Sequence, residues 1–233
     1  MIMSNIEILY EDNHYIIVNK RVGDIVQGDK TGDEPLSSVI ARYIAERDNK
    51  PGDAFIGVPH RLDRPVSGVA IFAKRSKGLE RINELFRESQ VKKIYWAIVA
   101  ILPELPEGEL THYLLRNEKQ NRSYAYNYPR NGAKEARLRY KVIASSDNYH
   151  LIEIELLTGR HHQIRCQLSA IGSPIKGDLK YGAPRSNPDG GISLHARSIR
   201  FIHPVTDVEV YVEAQPPKDS LWDFFLKNLG KVG

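Results

Sequence analysis

The decapeptide PHRLDRPVSG (59–68) sets one carboxylate, Asp63, between two guanidinium groups, Arg61 and Arg64. Neighbouring arginines favour the ionised form of a carboxylate. A desolvated, permanently ionised carboxylate can act as a nucleophile. Taken alone, the same ten residues read more simply as a loop aspartate in exposed ion pairs, which add little to stability. A second polar group lies in LLTGRHHQIRCQLSAIG (156–172). A helix over 160–172 puts His161 and Arg165 one turn apart on one face, with Gln163 and Gln167 as another polar pair. Ile164, Leu168 and Ile171 then form the inward stripe, and Arg165 on its own reads as a helix-surface arginine. In KKIYWAIV, Tyr95 and Trp96 are adjacent on a strand and point to opposite faces, so one can fill the core while the other reaches a site.

The histidines raise metal chemistry, with His60, His161 and His162 as the set for a metal-dependent hydrolase. Adjacent residues on a helix point different ways, and neither HExxH nor a partner for the lone Cys166 is present. No metal is therefore expected, and His161 and His162 read as satisfied or RNA-contacting side chains.

The elements that must position these residues follow from periodicity. IEILY (6–10) and HYIIVNK (14–20) read as strands joined by a turn. Residues 35–49 carry Leu36, Val39, Ile40, Tyr43 and Ile44 at helical spacing after Pro35, and 76–90 carry Leu79, Ile82, Leu85 and Phe86. AFIGVPH and GVAIFAK, on either side of the decapeptide, read as two buried strands, so Asp63 sits on a tight connection at the end of a sheet. Residues 92–102 form an apolar, central strand. EARLRYKVIAS, HLIEIELL, ISLHARSIRFIHP and DVEVYVEAQ are further strands, RSYAYNY alternates, and KDSLWDFFLKNLG closes the chain as an amphipathic helix. Strands outnumber helices and are mostly joined by short turns. The expected fold is therefore α+β, with a mixed, largely antiparallel central sheet and flanking helices and loops. A single domain over 1–233 is expected, with 103–109 as the weakest point between two halves.

The chain has 233 residues, a net charge of +4 and one cysteine. No apolar run approaches the roughly 18 residues of a membrane span. The start has no basic segment followed by an apolar one, so no export signal is read, and a cytoplasmic monomer without membrane contact is expected. The charge is uneven. Arg116 to Lys141 holds eight Lys/Arg against two Glu, whereas Asp207 to Asp223 holds five acids and one lysine. Tyr124, Tyr126 and Tyr128 alternate onto one face beside Arg122 and Arg130. Aromatics interleaved with arginines suit stacking on exposed bases and contact with phosphates. An ordinary half-buried strand with its tyrosines inward is the plainer alternative.

Together the motifs resemble the RluA-type pseudouridine synthases over nearly the whole chain. NHYIIVNKRVGDIV, HRLDRPVSGVAIFAK, KKIYWAIV, TGRHHQIRCQLSAIGSPIKGD and SLHARSIRFIHPVT match the family's motifs in order. The chain has Arg21 where the family usually has proline, Val66 where it often has threonine, and Cys166-Gln167 where a histidine often follows. The resemblance implies a pseudouridine synthase catalytic fold, isomerisation of uridine in structured tRNA or rRNA, and no cofactor or metal. It implies Asp63 as catalytic carboxylate, Tyr95 stacked on the target base and Arg165 paired with Asp63. It also implies Leu194 beside the base and Arg61 in contact with RNA near the vacated stack. Arg64, His162, Arg122 and Arg130 complete the expected RNA-binding set. The first motif begins so early that no N-terminal S4-like RNA-binding domain is expected, leaving recognition to the basic surface. The alternative from another class is a non-catalytic RNA-binding or chaperone-like protein on the same fold.

Overall fold

The computed structural model describes residues 6–28 and 32–229. In chain order the elements are β1 (Glu7–Glu11), β2 (Tyr15–Lys20), α1 (Leu36–Arg47), β3 (Ser67–Ala73), α2 (Ser76–Arg87), β4 (Lys92–Val99), β5 (Glu107–Asn117), β6 (Arg122–Tyr126), β7 (Lys134–Ser145), β8 (His150–Leu156), α3 (Gln163–Ala170), β9 (Leu194–Ile202), β10 (Glu209–Glu213) and α4 (Ser220–Asn228). This is the expected α+β chain, with four helices and mostly antiparallel strands. Gly230, the end of the expected closing helix, lies outside the described residues. No helix among the described residues is long and apolar enough to cross a membrane.

The chain forms two compact units. The first holds the described residues through Val91 together with Ala196–Gln215, and the second holds Lys92–His195 and the residues from Pro216 on. The divisions fall at 91/92, 195/196 and 215/216, not at the expected weak point of 103–109, because Glu107 already opens β5.

In the first unit the strand order is β1-β2-β3-β9, with β10 paired to β9. The β2–β3 register runs from Tyr15↔Ala73 to Lys20↔Gly68. Every residue of β3 is buried, so both its faces are covered. Tyr15, Ile17, Val69 and Ile71 pack on Ile82 of α2 and on Ile199, Phe201 and Val212, forming one core. The apolar stripe read for 76–90 thus does what its spacing requires, with Leu79, Leu85 and Phe86 along its edge.

The expected strand AFIGVPH is not formed. Only Gly57 bridges Ala73, Ala54 donates its N–H to Ala41 of α1, and Phe55 is half exposed. The rest of β3 has β2 and β9 as neighbours, so no edge remains to extend that bridge.

In the second unit the order is β4-β8-β7-β5-β6, antiparallel at each pairing. Trp96, Ile98 and Leu151 pack with Trp222 and Phe225 of α4, whose first turn is capped by the Asp219 carboxylate. Residues 107–117 form the eleven-residue strand β5. Only the far end of 92–102 departs from a central strand, since Ile101 and Leu102 are exposed.

Gly68, in the candidate motif, has φ +114°, and a Cβ there would lie 2.3 Å from the Ala196 carbonyl oxygen. Gly68→Ala should destabilise the protein by roughly 2–4 kcal/mol, combining backbone strain with a rigid overlap. Gly172→Ala, at positive φ with open space around it, should cost only about 1 kcal/mol. Thermal unfolding of the two variants checks this, and equal losses would contradict it.

Candidate active site

The candidate residues divide between the units. Arg61, Asp63 and Arg64 lie in the first. Tyr95, Arg122, Arg130, His162, Arg165 and Leu194 lie in the second.

Asp63 opens a turn closed by the Val66 N–H on the Asp63 carbonyl at 3.0 Å. Arg64 directs its guanidinium to Asp33. Arg61 is exposed and makes no ion pair with any described residue. Beneath the turn is a residue that sequence reasoning missed. Lys20 ends β2 with no solvent exposure, and its Nζ donates to the carbonyls of Val66 (2.6 Å), Arg21 (3.0 Å) and Arg64 (3.2 Å). Its place as the last residue of an apolar strand was the available clue.

In the second unit, Tyr95 and Trp96 are both buried. Trp96 fills the core and donates its Nε1–H to Glu153 at 3.2 Å. Alternation turns Tyr95 to the other face. Leu194 is buried at the start of β9.

The helix expected over 160–172 is shorter and differently faced. His162 adopts φ +52°, so α3 starts at Gln163. The Gln163 side-chain oxygen accepts from Thr158 Oγ1 (2.7 Å) and Arg160 N (3.0 Å), which fixes 158–162 as a separate turn. His161 and Arg165 therefore do not share a helical face. His161 and His162 stack at 3.8 Å instead of diverging. The polar side of α3 does not face water either. Gln167 is fully buried and donates towards Leu110, His112 and Ala136 of β5 and β7.

Arg165 is not a surface arginine. It is 5% exposed and forms a bidentate pair with Asp178, Nε to Oδ2 at 2.6 Å and Nη2 to Oδ1 at 2.9 Å. Sequence reasoning passed over Asp178, although it ends the GSPIKGD stretch. Tyr181 was missed too. Its ring lies 5.1 Å from both the Arg165 and Arg122 guanidinium carbons. Its hydroxyl accepts the Ser123 N–H at 2.8 Å and lies 3.0 Å from His162 Nδ1. Burial pushes this phenol up to about 12, so it stays protonated and can donate to Nδ1. The Cys166 thiol is likewise pushed up to about 11 by burial, which leaves it a poor nucleophile.

The ring nitrogens of His161 meet Ser123 Oγ and Asn121 Oδ1 at 2.9 and 3.1 Å, as side chains with hydrogen-bond partners do. A different trio, Asp12, His14 and His203, is close enough to be tested for a cation. His203 Nδ1 accepts the amides of Val205 and Thr206, so its proton is on Nε2. That nitrogen is 2.9 Å from Asp12 Oδ2, although poorly aligned for a hydrogen bond, and offers no lone pair to a metal.

The basic stretch 116–141 is split by strand pairing. Glu109 lies opposite Arg139 and binds Arg137 and Arg139, and Glu107 lies opposite Lys141 and pairs with it. Arg122 and Arg130 make no ion pair with any described residue and stack on tyrosines instead. Arg122 lies over Tyr124 at 5.3 Å and Arg130 over Tyr126 at 4.6 Å. Tyr124 and Tyr126 line a shallow depression of about 400 Å³ with Leu115, Arg116, Asn117 and Gln120. The tyrosines therefore face outward and not into the core. Tyr128 lies beyond the end of β6.

The family model for RNA pseudouridylate synthase matches residues 14–170. The chain is 32% identical to the ribosomal large subunit pseudouridine synthase C of Vibrio parahaemolyticus, covering 97% of this chain and 70% of that protein. It is also 32% identical to an uncharacterized RNA pseudouridine synthase of Bacillus subtilis, YhcT, covering 96% and 71%. Among solved structures, human RNA pseudouridylate synthase domain containing 4 superposes with a TM-score of 0.75 at 24% identity, covering 94% of this chain and 92% of that one, a likeness of fold.

Breaking a buried ion pair from one side strands a charge. Asp178→Asn should lower stability by about 3–5 kcal/mol. Replacing both partners by apolar residues, Arg165→Met with Asp178→Leu, should recover part of that loss. Denaturant unfolding checks both, and a double variant less stable than Asp178→Asn would contradict it.

Proposed function

The chain belongs to the RNA pseudouridylate synthase family, and on that footing we propose that it isomerises specific uridines of structured tRNA or rRNA, with Asp63 as the catalytic carboxylate. That it is an RNA pseudouridine synthase follows from the family. This displaces the non-catalytic alternative. The observation that supports the finer reading is the extent of the match, 14–170, a span that contains Asp63, Tyr95 and Arg165.

The reaction breaks the N1–C1′ bond of uridine, joins C1′ to C5 and releases the C5 hydrogen. A uridine inside a helix must first leave its stack, and an aromatic, apolar pocket offsets part of that cost. In this reading Tyr95 stacks on the extruded base and assists removal of the C5 proton, and Leu194 packs beside the base. Arg165 is the cation that the resemblance gives to Asp63. The Asp178 pair supports this role, since it fixes the orientation of the Arg165 guanidinium. Arg61, exposed and without a carboxylate partner among the described residues, reaches RNA near the vacated stack. Arg64, already held by Asp33, can contribute only its remaining donors. His162 is buried and tied to the Tyr181 hydroxyl, so its part in RNA binding is to support the segment above it and not to present a side chain to RNA.

The outer face of β6 supports an RNA contact. Arg122 and Arg130 have no acid partner among the described residues and lie on Tyr124 and Tyr126, with Arg122 also against the buried Tyr181, which suits phosphates and unstacked bases together.

Asp63→Asn should lower tritium release from RNA labelled at uridine C5 by at least about a thousandfold while RNA binding persists. Equal release by wild type and variant would overturn the role given to Asp63. Arg122→Ala with Arg130→Ala should weaken RNA binding and make the slope of log K against log salt shallower by roughly 0.7–0.9 per arginine. An unchanged slope would move the binding surface elsewhere.

A further inference from the structure

The depression of about 400 Å³ on the β5–β6 hairpin has a chemistry of its own. The register Leu115↔Tyr124 and Tyr113↔Tyr126 puts these four side chains on one face of the sheet. Leu114 and Ala125 point the other way, into the cluster that holds Cys166 of α3. Tyr95 shares that second face. The pairs Tyr95↔Ile154, Tyr140↔Ile154 and Gly108↔Tyr140 carry the face across the sheet to β5, where alternate residues lead from Gly108 to Leu114. In the same sheet order β6 lies four strands from β4, roughly 20 Å at the usual strand spacing. A base held in the depression is therefore not a base stacked on Tyr95. It belongs to another nucleotide, and one RNA reaches both places by passing round β6, the last strand of its sheet.

The polar groups of the depression are committed in one sense. Asn117 Oδ1 accepts the Gln120 N–H at 3.1 Å, and the Tyr124 hydroxyl donates to Gln120 Oε1. Each amide thus uses its oxygen inside the hairpin and keeps its NH2 group as the donor for a guest. The guanidinium groups over Tyr124 and Tyr126 add donors only. Leu115 and the two tyrosine rings supply an apolar floor. The hairpin tip is held before any ligand arrives. The Asn121 N–H bonds the Glu118 carbonyl at 3.2 Å, the Asn121 carbonyl accepts Lys180 Nζ at 3.0 Å, and Asn121 Oδ1 lies 3.1 Å from His161 Nε2. A tip already ordered lowers the entropy cost of binding.

We propose that this depression is a second base subsite, which takes an unpaired guanine of the RNA by stacking it on Tyr124 and receiving its O6 and N7 on the Gln120 and Asn117 amide groups. The inference rests on the protein acting on RNA as proposed above. A rim of donors over an aromatic floor selects a base with a broad ring face and adjacent acceptors. Guanine presents O6 and N7 side by side with no donor between them. Adenine has an amino group in place of O6, which sets donor against donor. Cytosine and uracil have less ring area, and each carries an N–H beside its acceptors. A guanine anchored here fixes the register of the strand that passes round β6, and so helps to decide which uridine reaches Tyr95.

The test is the affinity of the whole protein for labelled RNA octamers of cytidine, measured by fluorescence anisotropy at one fixed salt concentration. Each octamer carries one guanosine, adenosine, inosine or 7-deazaguanosine at its centre. None contains uridine, so no turnover intervenes. The guanosine probe should bind at least about tenfold tighter than the adenosine probe. Inosine keeps O6 and N7 and should match guanosine. 7-Deazaguanosine lacks N7 and should bind about fivefold more weakly. Gln120→Glu puts an oxygen where the donor stood and should bring the guanosine-to-adenosine ratio to about one or below. Tyr124→Leu should weaken the guanosine probe about tenfold. Tyr95→Ala, on the other face, should leave the ratio unchanged. Equal binding of guanosine and adenosine by the wild type, a loss with inosine, or a guanosine preference that survives Gln120→Glu would overturn the proposal. If a variant does not fold, the four probes on the wild type decide. Tritium release from bulk RNA labelled at uridine C5 is measured on the same wild-type preparation. If it releases tritium and shows no guanosine preference, only the guanine subsite fails. If it releases none, the proposed function fails, and the four probes still decide whether the subsite exists.

Discussion

A lysine ammonium without solvent, held by three main-chain carbonyls, is the interaction on which the ordering of the first unit's loops depends. Enclosing a charge is costly unless every proton finds an acceptor. Here the acceptors are backbone atoms of two loops, so the charge can be accommodated only if both loops take one conformation. The constraint passes along β2 and β3. Lys20 lies opposite Gly68, and Gly68 approaches the Ala196 backbone so closely that no side chain fits. The strand ends and the turn between them therefore form one rigid piece, and Asp63 is mounted on it.

The second unit uses a buried charge in a different way. Arg165 is clamped by Asp178 in a bidentate pair and lies against the ring of Tyr181. The same ring meets Arg122, whose own neighbour Ser123 donates its amide to the Tyr181 hydroxyl. One aromatic side chain thus ties the interior arginine of α3 to the strand that presents cations and tyrosines outward. The split of the basic stretch serves that face. Acids of β5 neutralise the cations of β7 and leave Arg122 and Arg130 without an ion pair among the described residues.

Much of this was legible in the sequence because it is local. Apolar period 3.6 located α1 and α2, alternation located β7 and β8, and the ordered motifs located the candidate residues. What was not legible depends on pairing between distant segments. No local rule says that Glu107 and Glu109 lie opposite Lys141 and Arg139, so the basic zone looked larger than it is. The helix at 160 looked longer because His162 gives no sequence warning of a left-handed backbone, and its polar face looked solvated because β5 to β7 are not visible from α3. AFIGVPH has the composition of a strand but no free edge to pair with. Lys20 and Asp178 were overlooked for one reason: a charge is read as surface until the carbonyls or the arginine that hold it are placed in space.

The most direct measurement of the central claim is a pseudouridine map of total RNA from cells carrying the wild-type protein, no protein, or Asp63→Asn at the native locus. The account predicts at least one site present with the wild type and absent both without the protein and with Asp63→Asn. A site that depends on the protein yet persists with Asp63→Asn would contradict it.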